Sequence, residues 1–285
     1  MKNTAAELIE LWEKFKGDTE ALLSSEKNLD YLYALSKTRE NLLEWFPFQR
    51  GKKILQAGAG CGALTGVFMA KGLKVTVLDP SREELEFLKK RYKNEAAFEA
   101  GDEISDGADS TEGGAEKDGG IVCLNESLTE NHITEKYDYV TIVGSLAADQ
   151  EEIQKQLAAA KERLVPGGYL FIAADNPSGL KHWAGAPKEE NGIGRKRLTE
   201  LLEEGEQGKL TFYYPFPDYK LPTEIYSDKW LPEKGDLSGT VISYDYPEFL
   251  KTDVGTSYDM ICEEGQFAEF ANSFLAVWKK DGEDA

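Results

Sequence analysis

The run Lys53-Ile54-Leu55-Gln56-Ala57 has the apolar, β-forming character of a buried strand, and Gly58-Ala59-Gly60-Cys61-Gly62 follows it without a break. A helical stretch from about Ala63 to Lys71 comes next. A strand that stops on alternate glycines and turns straight into a helix lets the backbone come close to another molecule. A Cβ at those glycines would clash with that molecule or block the backbone angles of the turn. The helix start adds unpaired N–H groups and a partial positive charge. Gly72 then stops the helix, Lys74 to Leu78 reads as a second strand, and Asp79 closes it. Pro80-Ser81 opens a charged helix from about Arg82 to Lys93. This strand–helix–strand–helix rhythm predicts an α/β fold with a parallel sheet and right-handed crossovers.

The rest of the chain extends that pattern. Apolar residues recur at helical spacing from Thr4 to Phe15, and again from Asn28 to Trp45 before Pro47 ends the stretch. Residues 94–120 are dominated by Gly, Asp, Glu and Ser and read as a surface insertion. The next strand falls either at Ala97–Glu99 or at Ile121–Leu124. The second choice is preferred because it leaves a short connection to the strand Tyr139–Val143. A helix from Gln150 to Leu164, the turn Pro166-Gly167-Gly168, a strand Tyr169–Ala173 and a last strand Ser273–Lys279 complete the pattern. Two proline- and aromatic-rich passages between them read as irregular.

Bulk properties narrow the function classes. Only Cys61, Cys123 and Cys262 occur, with no CxxC pair, which argues against a disulfide framework or zinc site and fits a reducing cytoplasm. The N-terminus carries acids and no long apolar run, and no stretch approaches the roughly 20 apolar residues of a membrane span. Thus neither secretion nor membrane insertion is expected. The formal charge of −19 disfavours a nucleic-acid partner, since such binding rests on Lys and Arg neutralising phosphates. Two lone histidines and scattered acids give no metal-ligand spacing.

The glycine loop suits two kinds of cofactor. Gly58, Gly60 and Ala63 satisfy the looser G-x-G-x-x-G/A rule of dinucleotide sites. Asp79, at the neighbouring strand tip, is placed to accept hydrogen bonds from both hydroxyls of an adenosine ribose in either case. Two features favour S-adenosylmethionine. Helices before the first strand look like the N-terminal cover of class I methyltransferases. The passage Arg163-Leu164-Val165-Pro166-Gly167-Gly168-Tyr169-Leu170 resembles the turn those enzymes carry before their fifth strand.

A closer likeness rests on longer segments. Tyr33-Ala34-Leu35-Ser36 leads into Arg39-Glu40-Asn41-Leu42-Leu43-Glu44-Trp45-Phe46-Pro47-Phe48 and the loop Gln56 to Gly66. Later come Asn176-Pro177-Ser178-Gly179-Leu180-Lys181-His182-Trp183 and Phe212-Tyr213-Tyr214-Pro215-Phe216-Pro217-Asp218-Tyr219-Lys220-Leu221-Pro222. From about Leu29 to Pro232 the chain resembles a bacterial family of S-adenosylmethionine-dependent methyltransferases found with surface-polysaccharide glycosyltransferases. The resemblance implies a Rossmann-like class I methyltransferase fold, with a mostly parallel seven-stranded sheet, its last strand antiparallel, and helices on both faces. It implies cofactor contacts at Gln56, Gly58, Gly60, Gly62 and Asp79, with adenine near Asn125-Glu126. It also implies a small or saccharide acceptor and a glycosyltransferase as partner. Relatives carry an acid in place of Gln56, Glu-Tyr where this chain has Gly144-Ser145-Leu146-Ala147-Ala148, and Glu-Asn-Arg where it has Asp175-Asn176-Pro177. These departures make a catalytically weakened cofactor-binding or scaffold domain the alternative to an active enzyme.

On that reading residues 1–50 are an N-terminal helical extension. Residues 51–285 are the cofactor-binding domain, with the acidic insertion at about 94–120 and an acceptor-side region at about 176–260. Methyl transfer is a direct displacement that chiefly needs alignment, and a hydroxyl acceptor gains from a general base. His182, on the segment after the fifth strand, is the candidate base, against the plainer reading of a packing histidine. Asp218 and Tyr219 are candidates to face the acceptor, against plain packing of an aromatic loop. His132 reads as a surface residue, and Asp175-Asn176-Pro177 as a turn.

Overall fold

The computed structural model describes residues 4–93, 120–205, 207–239 and 253–282. In chain order the helices are α1 (Thr4–Lys14), α2 (Thr19–Ser25), α3 (Leu29–Leu35), α4 (Asn41–Glu44), α5 (Thr65–Ala70) and α6 (Arg82–Tyr92). Then come α7 (Gln150–Arg163), α8 (Leu180–Trp183), α9 (Arg195–Glu203), α10 (Val254–Glu263) and α11 (Phe267–Phe270). The strands are β1 (Lys53–Ala57), β2 (Lys74–Leu78), β3 (Ile121–Leu124), β4 (Tyr137–Val143), β5 (Leu164–Asp175), β6 (Gly208–Phe216), β7 (Glu224–Ser227) and β8 (Ser273–Lys280). Apart from Gly120, the acidic insertion lies outside the described residues, as do the alternative strand at Ala97–Glu99 and the 240–252 part of the acceptor-side region. The chain divides into two compact units, Met1–Ser36 with Phe46–Ile133 and Lys37–Trp45 with Thr134–Ala285.

In the first unit β1 pairs in parallel with β2, and β2 with β3, in the register Leu55↔Thr76 and Val77↔Cys123. Ile54, Leu55, Val75 and Val77 are buried, as befits strands covered on both faces. Leu8, Leu22 and Leu35 form a core cluster with Cys61 and Phe87. Helix α2 is absent from the periodicity reading. It starts because the Asp18 carboxylate caps it, accepting from Ala21 N at 2.9 Å. The helix expected over 28–45 ends at Leu35, where Ser36 turns extended (ψ 132°), and resumes as a 3-10 turn and α4.

In the second unit β4 and β5 are parallel, and β5–β8, β8–β6 and β6–β7 are antiparallel. Eight strands are described, against the seven expected. The periodicity reading named six strands; the aromatic passages it read as irregular supply the other two, β6 and β7. Phe212, Tyr214 and Phe216 alternate inward along β6. Pro215 is tolerated because the β6–β8 ladder stops at Tyr213↔Leu275, so beyond it that side of β6 has no β8 partner to donate to. The expected turn Pro166-Gly167-Gly168 runs inside β5. A Cβ on Gly168 would lie 2.9 Å from Val165 O and 3.0 Å from Asp138 O, so only glycine fits that irregular register. Among the described residues no helix is long and apolar enough to cross a membrane.

Candidate functional site

The glycine loop of the first unit is a tight turn. Gly58, Gly60 and Gly62 have φ of 68°, 54° and 76°, the left-handed region that side chains disfavour. Gly58 N donates to Leu78 O, continuing the ladder to the strand tip, and Gly62 N donates to Ala59 O. The helix therefore starts at Thr65, two residues later than expected. A Cβ on Gly62 would sit 3.0 Å from Tyr92 Cε2 and 3.1 Å from Leu88 Cγ, whereas one on Gly60 would meet only Glu84 Oε2 at 3.9 Å. Gly62 is thus glycine for packing, while a Cβ at Gly60 would have only an ordinary contact with the Glu84 side chain.

Asp79 is buried, and its carboxylate is engaged by backbone. Oδ2 accepts from Gly60 N and Oδ1 from Ser81 N, each at 2.9 Å. It therefore braces the loop as well as marking the strand tip, a second role the sequence reading lacked. Backbone N–H groups thus take one lone pair of each oxygen. Ser81 caps α6 by accepting from Glu84 N at 3.3 Å. The run Ser81-x-x-Glu84 is the sequence signature of a capping box, in which Glu84 would reach back to Ser81 N. Asp79 already takes that N–H, so the Glu84 carboxyl lies beside Asp79 over the loop. Its burial and the neighbouring Asp79 charge push it up to about 7.

Other residues brace the loop. Tyr92 Oη donates to Gly62 O at 2.8 Å and accepts from Gly66 N, and Arg91 donates to Cys61 O and Ala34 O. Burial pushes the Cys61 thiol up to about 12. Gln56 is buried, and its Oε1 accepts from Thr65 Oγ1 at 2.8 Å. Asn125 Nδ2 donates to Asp79 O at 3.0 Å, so it sits beside the strand tip. Glu126 accepts from His132 N and faces His132 Nδ1 at 3.0 Å. Burial works to raise its pKa, but these His132 contacts outweigh burial and lower it.

The three catalytic candidates meet in the second unit around a buried ion pair. Lys181 Nζ donates to Asp175 Oδ1 at 2.8 Å and lies 4.0 Å from Asp218 Oδ2. His182 Nε2 faces Asp175 Oδ2 at 3.6 Å, while Nδ1 lies 3.2 Å from Ala186 O. The Ala186 carbonyl can only accept, so Nδ1 carries a proton and Nε2 points at the carboxylate. Neither Asp175 Oδ2 nor His182 Nε2 has a hydrogen-bond partner among the described residues. Burial works to raise the Asp175 carboxyl, but the His182 ring and the Lys181 charge outweigh it and hold the carboxyl low.

Asp218 Oδ1 accepts from Lys220 N, which shapes the turn after β6. Burial raises the Tyr219 phenol, so it stays protonated, and its ring lies under Arg39. His182, Asp218 and Tyr219 thus converge, but the side chain of His182 is only 3% exposed and those of Asp218 and Tyr219 are equally enclosed. Lys181 and Asp175 were not among the candidates. An adjacent Lys-His pair after an Asp-terminated strand carries no period that sequence reasoning could use.

No family model matches the chain, and no curated protein matches it. Solved structures do. A S-adenosylmethionine-dependent methyltransferase from Archaeoglobus fulgidus superposes with a TM-score of 0.51 at 13% identity, over 96% of this chain and 99% of that one. A TehB-like S-adenosylmethionine-dependent methyltransferase from Corynebacterium glutamicum gives 0.50 at 13%, over 97% and 98%. Phosphoethanolamine N-methyltransferase 1 from Haemonchus contortus gives 0.51 at 14%, over 99% of this chain and 50% of that one. With its Gly-x-Gly-x-Gly turn at the tip of β1 and an acid at the tip of β2, the chain has the Rossmann-like fold of the class I S-adenosylmethionine-dependent methyltransferases.

Proposed function

We propose that the chain is a S-adenosylmethionine-dependent methyltransferase (EC 2.1.1 class) that methylates an oxygen of a small or saccharide acceptor. The observation that carries this reading is the left-handed loop Gly58–Gly62, uncrowded at Gly60, with a buried carboxylate, Asp79, at the next strand tip bound to Gly60 N. The residues fit the cofactor. Gly58 and Gly60 would admit it, with Gly62 packing the turn on Tyr92 and Leu88, Asp79 would accept from its ribose, and Asn125 and Glu126 would flank its adenine. Gln56 keeps an amide beside the loop where relatives carry an acid, so the methionine ammonium would gain no charge partner there. Bound at this loop, S-adenosylmethionine supplies an electrophilic methyl group. The acceptor hydroxyl must lose a proton, and the buried His182–Asp175 pair is the acid–base group of the second unit. The Ala186 carbonyl holds the ring through Nδ1, and Lys181 holds the carboxylate of Asp175 that the ring faces.

Calorimetry tests the cofactor: S-adenosylmethionine and S-adenosylhomocysteine bind, and NADH does not. Binding of NADH without the sulfonium compound would move the chain to oxidoreductase chemistry. His182→Gln lowers kcat by about 10²–10⁴-fold and leaves S-adenosylhomocysteine affinity unchanged; equal rates would remove the base role. The enclosure of His182, Asp218 and Tyr219 favours one second reading, a catalytically weakened cofactor-binding domain partnering a glycosyltransferase. Tight cofactor binding with no methylated product by mass spectrometry, across neutral glycans, would decide for it.

A further inference from the structure

Among the described residues, two of the four exposed large apolar side chains flank one edge strand. Trp45 is 41% exposed and Trp230 is 73% exposed, and each leans on a tyrosine of the β6–β7 hairpin. The rings of Trp45 and Tyr213 lie 4.6 Å apart at 47°, and those of Tyr226 and Trp230 lie 6.4 Å apart at 65°. Trp45 Nε1 donates to Leu42 O, so its indole is held and presents a face instead of swinging free. A hollow of about 370 Å³ is lined by Asn41, Trp45, Tyr213, Thr223, Glu224 and Ser227 with Ile225. A second hollow of about 430 Å³ is lined by Glu224, Ile225, Tyr226, Trp230 and Asp236. Glu224 and Ile225 are common to both, so the hollows adjoin across β7.

Each hollow therefore combines an aromatic wall with amide, hydroxyl or carboxylate groups, and among the described residues that line them none carries a positive charge. Phosphate- or carboxylate-bearing ligands would meet uncompensated repulsion from Glu224 and Asp236. A purely apolar ligand would leave the polar groups without partners. A pyranose suits both constraints: its C–H faces stack on indole and phenol rings, and its hydroxyls donate to Glu224, Asp236 and Asn41. Tyr213 pairs with Ser227 and Tyr214 with Tyr226, so the two walls lie on opposite faces of the hairpin, and a ligand that meets both must be several sugar units long and pass over the edge strand β7.

The geometry points to β7 as the centre of a binding cleft for a neutral oligosaccharide, with Trp45–Tyr213 and Trp230–Tyr226 as two subsites and Glu224 shared between them. This extends the saccharide arm of the proposed function, yet its test needs neither cofactor nor turnover. Titrating the full chain with maltohexaose, cellohexaose and chitohexaose, followed by tryptophan fluorescence and calorimetry, gives saturable binding of at least one of them. Trp45→Ala and Trp230→Ala each weaken that binding by about tenfold. Trp183→Ala, an exposed tryptophan that lines neither hollow, leaves it unchanged. Glu224→Gln, which keeps the side-chain shape, weakens it as well.

No binding by any of the three glycans overturns the cleft, as does binding that survives both tryptophan changes. Equal binding of a heparin hexasaccharide, or a response to choline alone, overturns the neutral-sugar assignment. Methyl transfer to a small alcohol by the Trp45→Ala and Trp230→Ala variants, with glycan binding absent from the parent chain, would remove the cleft and leave the proposed enzyme standing. Glycan binding by a chain that binds no S-adenosylmethionine would do the reverse.

Discussion

Glu84 shows how one hydrogen bond redirects a side chain. Its sequence position marks it as the partner of Ser81 in a capping box, yet Asp79 Oδ1 accepts the N–H that Glu84 would have taken. The carboxyl instead adjoins Asp79, and its folded-state value is raised to about 7 from 4.5. A carboxyl raised on folding binds its proton more tightly in the folded chain. Stability from this group is therefore full below about pH 4.5 and is lost as pH rises toward 7. Glu84→Gln is expected to be more stable than the parent at pH 8, with the gap closing toward pH 4. Urea midpoints across that range check it, and a gap independent of pH would refute the pairing with Asp79. The Gly-x-Gly-x-Gly run and Asp79 were legible because they are local in sequence and each needs a special backbone or a strand tip. Glu84 was half legible: its capping signature is in the sequence, but the competitor for the same N–H arrives from the preceding strand.

At the scale of elements, Lys161 is the clearest dependence. It lies on α7 and is buried, and its ammonium donates to Leu202 O at 2.8 Å and Glu204 O at 2.9 Å, at the end of α9. A cation on the last carbonyls of a helix satisfies groups that have no partner within the helix and complements its dipole. The ring of Trp278 on β8 lies 5.1 Å from the same nitrogen. Lys161→Met keeps the stem but removes the donor, and should cost about 2–3 kcal/mol, read as a lower urea midpoint at unchanged slope. A loss below about 0.5 kcal/mol would mean that solvent replaces the lysine. The helices α1, α6 and α7 and the strands β1 to β4 follow their apolar periods closely, whereas α2 and the break at Ser36 do not show in them. β6 did not declare itself, because Pro215 and Pro217 argue against a strand unless it is known where the β8 partner stops.

At the scale of the molecule, 52 acids against 33 bases leave a formal charge of −19. Like charges over one surface repel one another and weaken the folded state, and salt screens them over about 8 Å at 0.15 M. Raising NaCl from 10 mM to 0.3 M is expected to raise Tm by a few degrees, measured by calorimetry. A Tm that falls or stays level would mean that the acids are already balanced by their neighbours, as Glu13 is by Lys90 at 2.6 Å. By itself the sequence determined the glycine turn, the acid at the following strand tip, the preference for Ile121–Leu124 as a strand and the α/β class. These depend on backbone angles and on apolar periods within a few residues. Tertiary structure alone decided that β6 and β7 lengthen the sheet, that Lys181 and Asp175 form a buried pair beside His182, and that Trp45 meets Tyr213. Those contacts join residues with no shared period, and their free energy arises only once the strands bring them together and exclude water.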